Sequence, residues 1–312
     1  MTAKPRLLVT AADLAPQALA LLTDFDVVYA GKTPTEDDIV ALCRQHDPVA
    51  IIVRYSKVGA AAMDAAKSLR VISKHGSGTD TIDKVAAAQR HIEVRAAVGA
   101  NAAAVAEHAL ALLLACAKSV PQIDARMHAG HWDKATHKSV ELSGRTIGLV
   151  GLGAIGLRFA RMAHAMDMRV IGHDPYARNL PDYVQAVDLD TVWREADAIS
   201  LHCPLTADNR NLLNADTLAR CKRGVMVVNT ARGGLIDEAA LLAAVQSGQV
   251  AAAGLDSFAV EPMTVPHPFQ NQPGFILSPH IGGVTRDAYV NMGTAAARNV
   301  LAVLELRLET QA

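Results

Sequence analysis

Gly151-Leu152-Gly153-Ala154-Ile155-Gly156 decides the fold of this chain. The apolar run Thr146-Ile147-Gly148-Leu149-Val150 precedes it, and the helix-forming stretch Leu157 to Met166 follows. Strand, glycine loop and helix in that order make a dinucleotide-binding turn. The glycines permit a tight bend and let a pyrophosphate approach the unpaired N–H groups of the helix N-terminus. The next apolar run, Arg169-Val170-Ile171-Gly172, leads into Asp174. An acid there accepts hydrogen bonds from ribose hydroxyls and repels a 2′-phosphate, so NAD is expected in preference to NADP. Arg178 reads as a solvated loop charge.

The glycine loop lies near the middle of 312 residues, after a long stretch with an α/β pattern of its own. Leu7-Leu8-Val9, Val27-Val28-Tyr29, Ala50-Ile51-Ile52-Val53, Leu69-Arg70-Val71-Ile72 and Ile92-Glu93-Val94 are short aliphatic runs with helix-like mixtures between them. Such alternation predicts a parallel sheet covered on both faces, with ligands at the carboxyl ends of its strands. Arg54, Lys74 and the turn His75-Gly76-Ser77-Gly78 fall at such ends. Ala102 to Lys118 is a long Ala/Leu-rich helix stopped near Pro121. A second alternation then runs through Ala198–Leu201, Val225–Val228, Ala252–Leu255 and Phe275–Leu277, before a last helix over Arg286 to Leu306. The fold class expected is α/β, with two doubly wound parallel-sheet domains. The dinucleotide (Rossmann) domain, 101–284, is inserted into a flavodoxin-like domain made of 1–100 and 285–312.

Composition narrows the function. With 51% hydrophobic and 20% charged residues the chain reads as a globular protein. A net charge of −1 and 4% aromatic content give no footprint for nucleic acid. The run Ala109 to Ala117 is too short to span a bilayer and reads as a buried helix, so no membrane role is expected. Met1-Thr2-Ala3-Lys4-Pro5-Arg6 leads into a short strand, with no apolar stretch of signal-peptide length. Cys43, Cys116, Cys203 and Cys221 are scattered, which argues against a disulfide framework or a metal site and for reduced thiols in the cytoplasm.

Five segments in register carry a resemblance to a family: Gly151 to Gly156, His202-Cys203-Pro204-Leu205-Thr206, Asn229-Thr230-Ala231-Arg232-Gly233-Gly234, Asp256-Ser257-Phe258-Ala259-Val260-Glu261-Pro262 and Ser278-Pro279-His280-Ile281-Gly282-Gly283. Over nearly its whole length the chain resembles the D-isomer-specific 2-hydroxyacid dehydrogenases, especially their phosphoglycerate dehydrogenase and hydroxypyruvate reductase branch. The resemblance implies a catalytic set of Arg232, Glu261 and His280. It implies cofactor contacts from Gly151, Gly153, Ala154, Ile155, Gly156, Asp174, Cys203, Pro204, Thr206, Thr230, Ala231, Asp256, Gly282 and Gly283. It also implies a homodimer built around the 102–118 helix. A scaffold that senses NAD, like the C-terminal-binding-protein corepressors, shares the fold and is the alternative from another class.

Residue chemistry independently suits these roles. Reducing a 2-oxo acid needs a hydride, a proton for the carbonyl oxygen and a cation for the carboxylate. Histidine exchanges protons near neutrality, and a neighbouring carboxylate raises its pKa and fixes its tautomer. Arginine grips a carboxylate with two parallel donors. The resemblance implies that the substrate carboxylate is bound partly by backbone N–H groups of the loop written here Gly76-Ser77-Gly78, and Arg54 and Lys74 would flank the substrate's far end. Two cations there suit an anionic tail such as that of 3-phosphoglycerate; glyoxylate or hydroxypyruvate is the alternative. A chain ending at Ala312 is expected to carry no C-terminal regulatory domain. His75 reads as a turn histidine and His108 as structural. Trp132 with His131 is either a packing element or an approach to a neighbouring subunit.

Overall fold

The computed structural model describes residues 4–309, the side chains of the last five excepted. Met1–Ala3 and residues 310–312, which the sequence reading gave to the ends of the first domain, lie outside the described residues. The chain forms two compact units, one up to Asn101 and again from Val284, the other from Ala102 to Gly283.

In the first unit β1 (Arg6–Val9), α1 (Pro16–Leu19), β2 (Asp26–Tyr29), α2 (Glu36–His46), β3 (Ala50–Val53), α3 (Ala60–Ala65), β4 (Val71–Lys74), α4 (Lys84–Gln89) and β5 (Glu93–Ala96) alternate. All pairings are parallel, in the order β2-β1-β3-β4-β5, the flavodoxin-like winding. β3 and β4 are buried along their whole length, because helices cover both faces of the sheet. α2 starts where a side chain dictates: Thr35 and Asp38 satisfy each other's backbone N–H groups in a capping box.

The second unit opens with α5 (Ala102–Lys118) and α6 (Val120–His128). Pro121 does stop the first helix, but it also starts the second: Ser119 turns left-handed (φ 54°) and Pro121 sits in the first turn of α6, where its missing N–H costs nothing. Then come β6 (Thr146–Val150), α7 (Ala154–Ala165), β7 (Arg169–His173), β8 (Val184–Ala186), α8 (Leu189–Glu195), β9 (Ala198–Leu201), α9 (Ala215–Arg220), β10 (Val225–Asn229), α10 (Glu238–Gln246), β11 (Val250–Leu255) and β12 (Phe275–Leu277). The sheet order β12-β11-β10-β9-β6-β7-β8 is all parallel and reverses direction between β6 and β9, as in a Rossmann fold. The last helix, α11 (Arg286–Glu309), returns to the first unit and packs on α1 and β4.

Two expectations shift. β4 lies two residues later than the aliphatic run suggests, because Ala50 to Val53 pair with Val71 to Lys74. Lys74 is therefore the last residue of the strand itself. β8 was not foreseen: Val184-Gln185-Ala186 is a short edge strand whose polar middle gives no aliphatic signal.

α5 is apolar through most of its circumference, and Ala109, Leu112, Leu113 and Cys116 are buried against the sheet and α7. Gly254 of β11 makes that approach possible, since a Cβ there would stand 2.8 Å from Leu112 Cβ. Among the described residues no single helix is long and apolar enough to cross a membrane. Gly254→Val should destabilise this unit by about 1–3 kcal/mol through overpacking, read as a lower urea midpoint. An unchanged midpoint would show that α5 can move away at no cost.

Candidate active site

Six parallel strands of the second unit end side by side, and the candidate residues follow them directly. Gly151 follows β6, Asp174 follows β7, Cys203 and Pro204 follow β9, Thr230 to Arg232 follow β10, Asp256 follows β11 and His280 follows β12. Parallel winding gathers all carboxyl ends on one edge, so residues far apart in sequence meet there.

The glycine loop divides its work. Gly151 has φ +97° and a Cβ on it would come within 2.7 Å of the Cys203 nitrogen; a Cβ on Gly156 would come within 2.1 Å of the Gly151 oxygen. These two close the turn. Gly153 is the opposite case, exposed and with nothing within 4 Å of where a Cβ would stand. α7 begins at Ala154 rather than Leu157, so Gly153 is its N-cap and the first N–H groups of the helix, which have no partner within it, follow directly. Asp174 accepts from Leu152 N–H at 2.9 Å and Tyr176 N–H at 2.8 Å, which fixes its carboxylate beside the loop. Arg178 is exposed and donates to the Pro175 and Ala177 carbonyls. The hydroxyl of Thr230 is buried without a partner. Pro204 and Thr206 are exposed at the β9 end, and Asn209 accepts the Thr206 N–H at 2.7 Å. An open cradle at a helix N-terminus, an acid at the end of the second strand and an unpartnered hydroxyl fit a dinucleotide.

At the β11 and β12 ends a buried carboxylate shapes the loop. Asp256 is 1% exposed. It accepts from the Ser278 hydroxyl at 2.6 Å, from Ile281 N–H at 2.8 Å and from Gly282 N–H at 2.8 Å. The sequence reading gave Asp256 to the cofactor; in the structure its oxygens bind the loop that carries His280. With the Ser278 hydroxyl donating to Asp256, its oxygen accepts from His108 Nε2 at 2.8 Å. His108 of α5 is thus tied to this network, a link that nothing in its helical setting signals. The bonds on either side hold His280 at φ 54°, a left-handed conformation that costs a non-glycine residue on the order of 1–3 kcal/mol.

His280 Nδ1 lies 2.6 Å from Glu261 Oε2. The other Glu261 oxygen accepts from Phe258 N–H at 2.9 Å, which orients the carboxylate. Gly233 brings Arg232 to this segment: a Cβ there would stand 1.9 Å from the Phe258 carbonyl carbon, so only glycine allows the two backbones to touch. Arg232 donates to the Ala231 carbonyl at 2.7 Å, and its charge acts on both members of the pair. The hydrogen bond that His280 donates to Glu261 raises the His280 pKa against the opposing effect of burial. Burial works against Glu261 ionisation, but the hydrogen bonds from His280 and Phe258 outweigh it and hold its pKa below the usual range. The charged pair therefore stabilises the loop between those two pKa values. It is lost as pH rises through the raised His280 value, or falls through the lowered Glu261 value. With Nδ1 engaged, Nε2 is the nitrogen left to exchange a proton with a ligand.

The first unit places its own candidates together. Arg54 pairs with the Asp13 carboxylate, donates to the Asp13 carbonyl at 3.1 Å and to the Tyr55 hydroxyl at 3.2 Å. Its guanidinium carbon lies 5.1 Å from the Tyr55 ring centre and 4.9 Å from that of Tyr289. Lys74 is buried, and its ammonium donates to the Arg54 carbonyl at 2.5 Å. Ser77 is exposed and bonds Asn101 at 3.2 Å; Gly78 is half-buried. His75 is buried beside Tyr289, and burial, then the charges of Arg54 and Lys74, push its pKa down to about 4. It is a neutral turn residue at physiological pH.

Residues 110–282 match the family model of the D-isomer specific 2-hydroxyacid dehydrogenase NAD binding domain. A hydroxypyruvate reductase of Thermotoga maritima is 40% identical over 83% of this chain and 85% of its own length. A D-3-phosphoglycerate dehydrogenase of Archaeoglobus fulgidus is 40% identical over 81% of this chain. The chain spans only about half the length of that relative, 49%. The crystal structure of a glyoxylate reductase from Paecilomyes thermophila superposes with a TM-score of 0.88 at 30% identity, covering 98% of this chain and 96% of that one.

Replacing Glu261 by Gln removes the group that raises the His280 pKa. An NMR titration of the imidazole should show a lower midpoint in Glu261→Gln than in the wild type. Coincident titrations would mean that Glu261 does not set the protonation state of His280.

Proposed function

Because the chain belongs to the D-isomer specific 2-hydroxyacid dehydrogenase family, we propose that it is an NAD-dependent oxidoreductase interconverting a 2-hydroxy acid and its 2-oxo acid. The observation that carries this reading is the 2.6 Å His280–Glu261 contact, set at the same strand edge as the open glycine loop.

Each chemical need of the reaction has a residue. Arg232 grips the substrate carboxylate through paired charge-assisted hydrogen bonds. His280 Nε2 gives its proton to the carbonyl oxygen during reduction and takes it back from the hydroxyl during oxidation. Glu261 keeps the imidazole charged and oriented until that transfer. Asp256, through Ile281 and Gly282, holds the backbone from which His280 projects. NAD, when bound, supplies or accepts the hydride. Gly151, Gly153, Ala154, Ile155 and Gly156 would hold its pyrophosphate and Asp174 its ribose. Cys203, Pro204, Thr206, Thr230, Ala231, Gly282 and Gly283 would line the remainder. Ser77 and Gly78 would present backbone donors to the substrate carboxylate, with Arg54 and Lys74 behind them. Hydroxypyruvate, glyoxylate and 3-phosphoglycerate, which the relatives' names contain, are the candidate substrates of this reading.

A cytoplasmic homodimer completes the proposal. All four cysteines are free thiols, and burial pushes Cys43, Cys116 and Cys221 up to about 11, 12 and 11, which makes them unreactive. Beside α5, the exposed apolar side chains Val120, Met127 and Trp132 support a subunit interface.

His280→Ala should lower kcat by about 10² or more, the usual contribution of general acid–base catalysis. Turnover close to wild type would remove the mechanism. Asp174→Ala should improve NADP use relative to NAD, because the carboxylate that repels a 2′-phosphate is gone. A wild-type enzyme that already uses both equally would show that Asp174 does not select the cofactor.

A further inference from the structure

Arg54 is the cation that would meet the far end of a substrate, and its engagement within the first unit bears on which substrates fit. One nitrogen of the guanidinium serves both the carboxylate and the main-chain carbonyl of Asp13, and the other donates to Tyr55. The rings of Tyr55 and Tyr289 flank it. The Tyr289 hydroxyl donates to Asp13 at 3.0 Å, to the same carboxylate oxygen that pairs with Arg54. Asp13 stays anionic throughout the neutral range: burial acts against its charge, but the Tyr289 and Arg54 hydrogen bonds outweigh it and lower its pKa. The Arg54 side chain is 12% exposed while that of Asp13 is 69% exposed. A solute arriving at this corner therefore meets the carboxylate before it meets the guanidinium.

We infer that Asp13 is a specificity-determining residue: it takes up the charge of Arg54 and sets the site for 2-oxo acids with an uncharged tail over those bearing a phosphate. The inference rests on the proposed dehydrogenase activity and on Arg54 facing the substrate's far end. A phosphate dianion would have to displace the Asp13 carboxylate from Arg54 or sit beside it. The first course gives up the Tyr289 bond as well, and the second sets like charges against one another. A hydroxymethyl or hydrogen tail does neither. It can lie against Tyr55, which is exposed.

Hydroxypyruvate and its 3-phosphate differ only at the tail, so the ratio of their kcat/KM values isolates this effect. The wild type should favour hydroxypyruvate. Asp13→Asn keeps the size of the side chain and its capacity to accept from Tyr289 but removes the charge. It should move the ratio toward the phosphorylated acid by about tenfold or more, the scale of one charge-assisted contact. Tyr289→Phe, which leaves the charge in place, should move it much less. A wild type that prefers the phosphorylated acid, or a ratio unmoved in Asp13→Asn, overturns the role of Asp13 while leaving the dehydrogenase reading intact. Absence of turnover with both acids and with glyoxylate in the wild type overturns both.

Discussion

A buried carboxylate at the end of β11 governs the candidate site. Asp256 is out of water, and polar oxygens in that position need hydrogen-bond donors. The donors are the Ser278 hydroxyl and the N–H groups of Ile281 and Gly282, so satisfying Asp256 means folding the β12 loop in one way only. His280 lies between those donors. Its left-handed backbone follows from this arrangement, and its imidazole is thereby aimed at Glu261. The position of His280 is thus a consequence of a hydrogen-bonding requirement elsewhere.

The electrostatics of the pair follow from the same geometry. Glu261 has one oxygen on the Phe258 N–H and the other on His280, so its carboxylate cannot turn away. Gly233 lies against the Phe258 backbone, and the charge of Arg232, the residue before it, acts on both Glu261 and His280. A raised histidine and a lowered carboxylate result, poised to hold one proton at Nε2. At the β6 end the demand is the reverse: Gly153 leaves open the space of a side chain at the start of α7, where the proposed cofactor's pyrophosphate would lie.

The fold was legible in the sequence because its signals are local. The glycine loop, the aliphatic strands and the Ala102–Lys118 helix each announce themselves within a few residues, and parallel winding then fixes where the strand ends lie. Boundaries were less legible where pairing rather than composition decides them, as at β4, or where a strand lacks aliphatic residues, as at β8. His280 and Glu261 were recognisable as an acid–base couple through motif and chemistry, and the structure adds the contact between them. Asp256 was visible as a strand-end acid but not as the anchor of a loop, since its donors lie beyond a further strand. The Asp13–Tyr289 bond joins residues 276 positions apart, and neither has a local pattern to mark it. Arg54 could be read as a cation, but its neutralising partner could not.

On the proposal made above, a single histidine, held charged by Glu261, carries the proton of the reaction. The most direct test of this is the pH dependence of kcat/KM measured in both directions on the unmodified enzyme. Reduction should fall on the alkaline side as His280 loses its proton, with an apparent pKa above that of an ordinary histidine, and oxidation should fall on the acid side through the same group. Profiles without a shared ionisation, or with one below the ordinary histidine value, would contradict it.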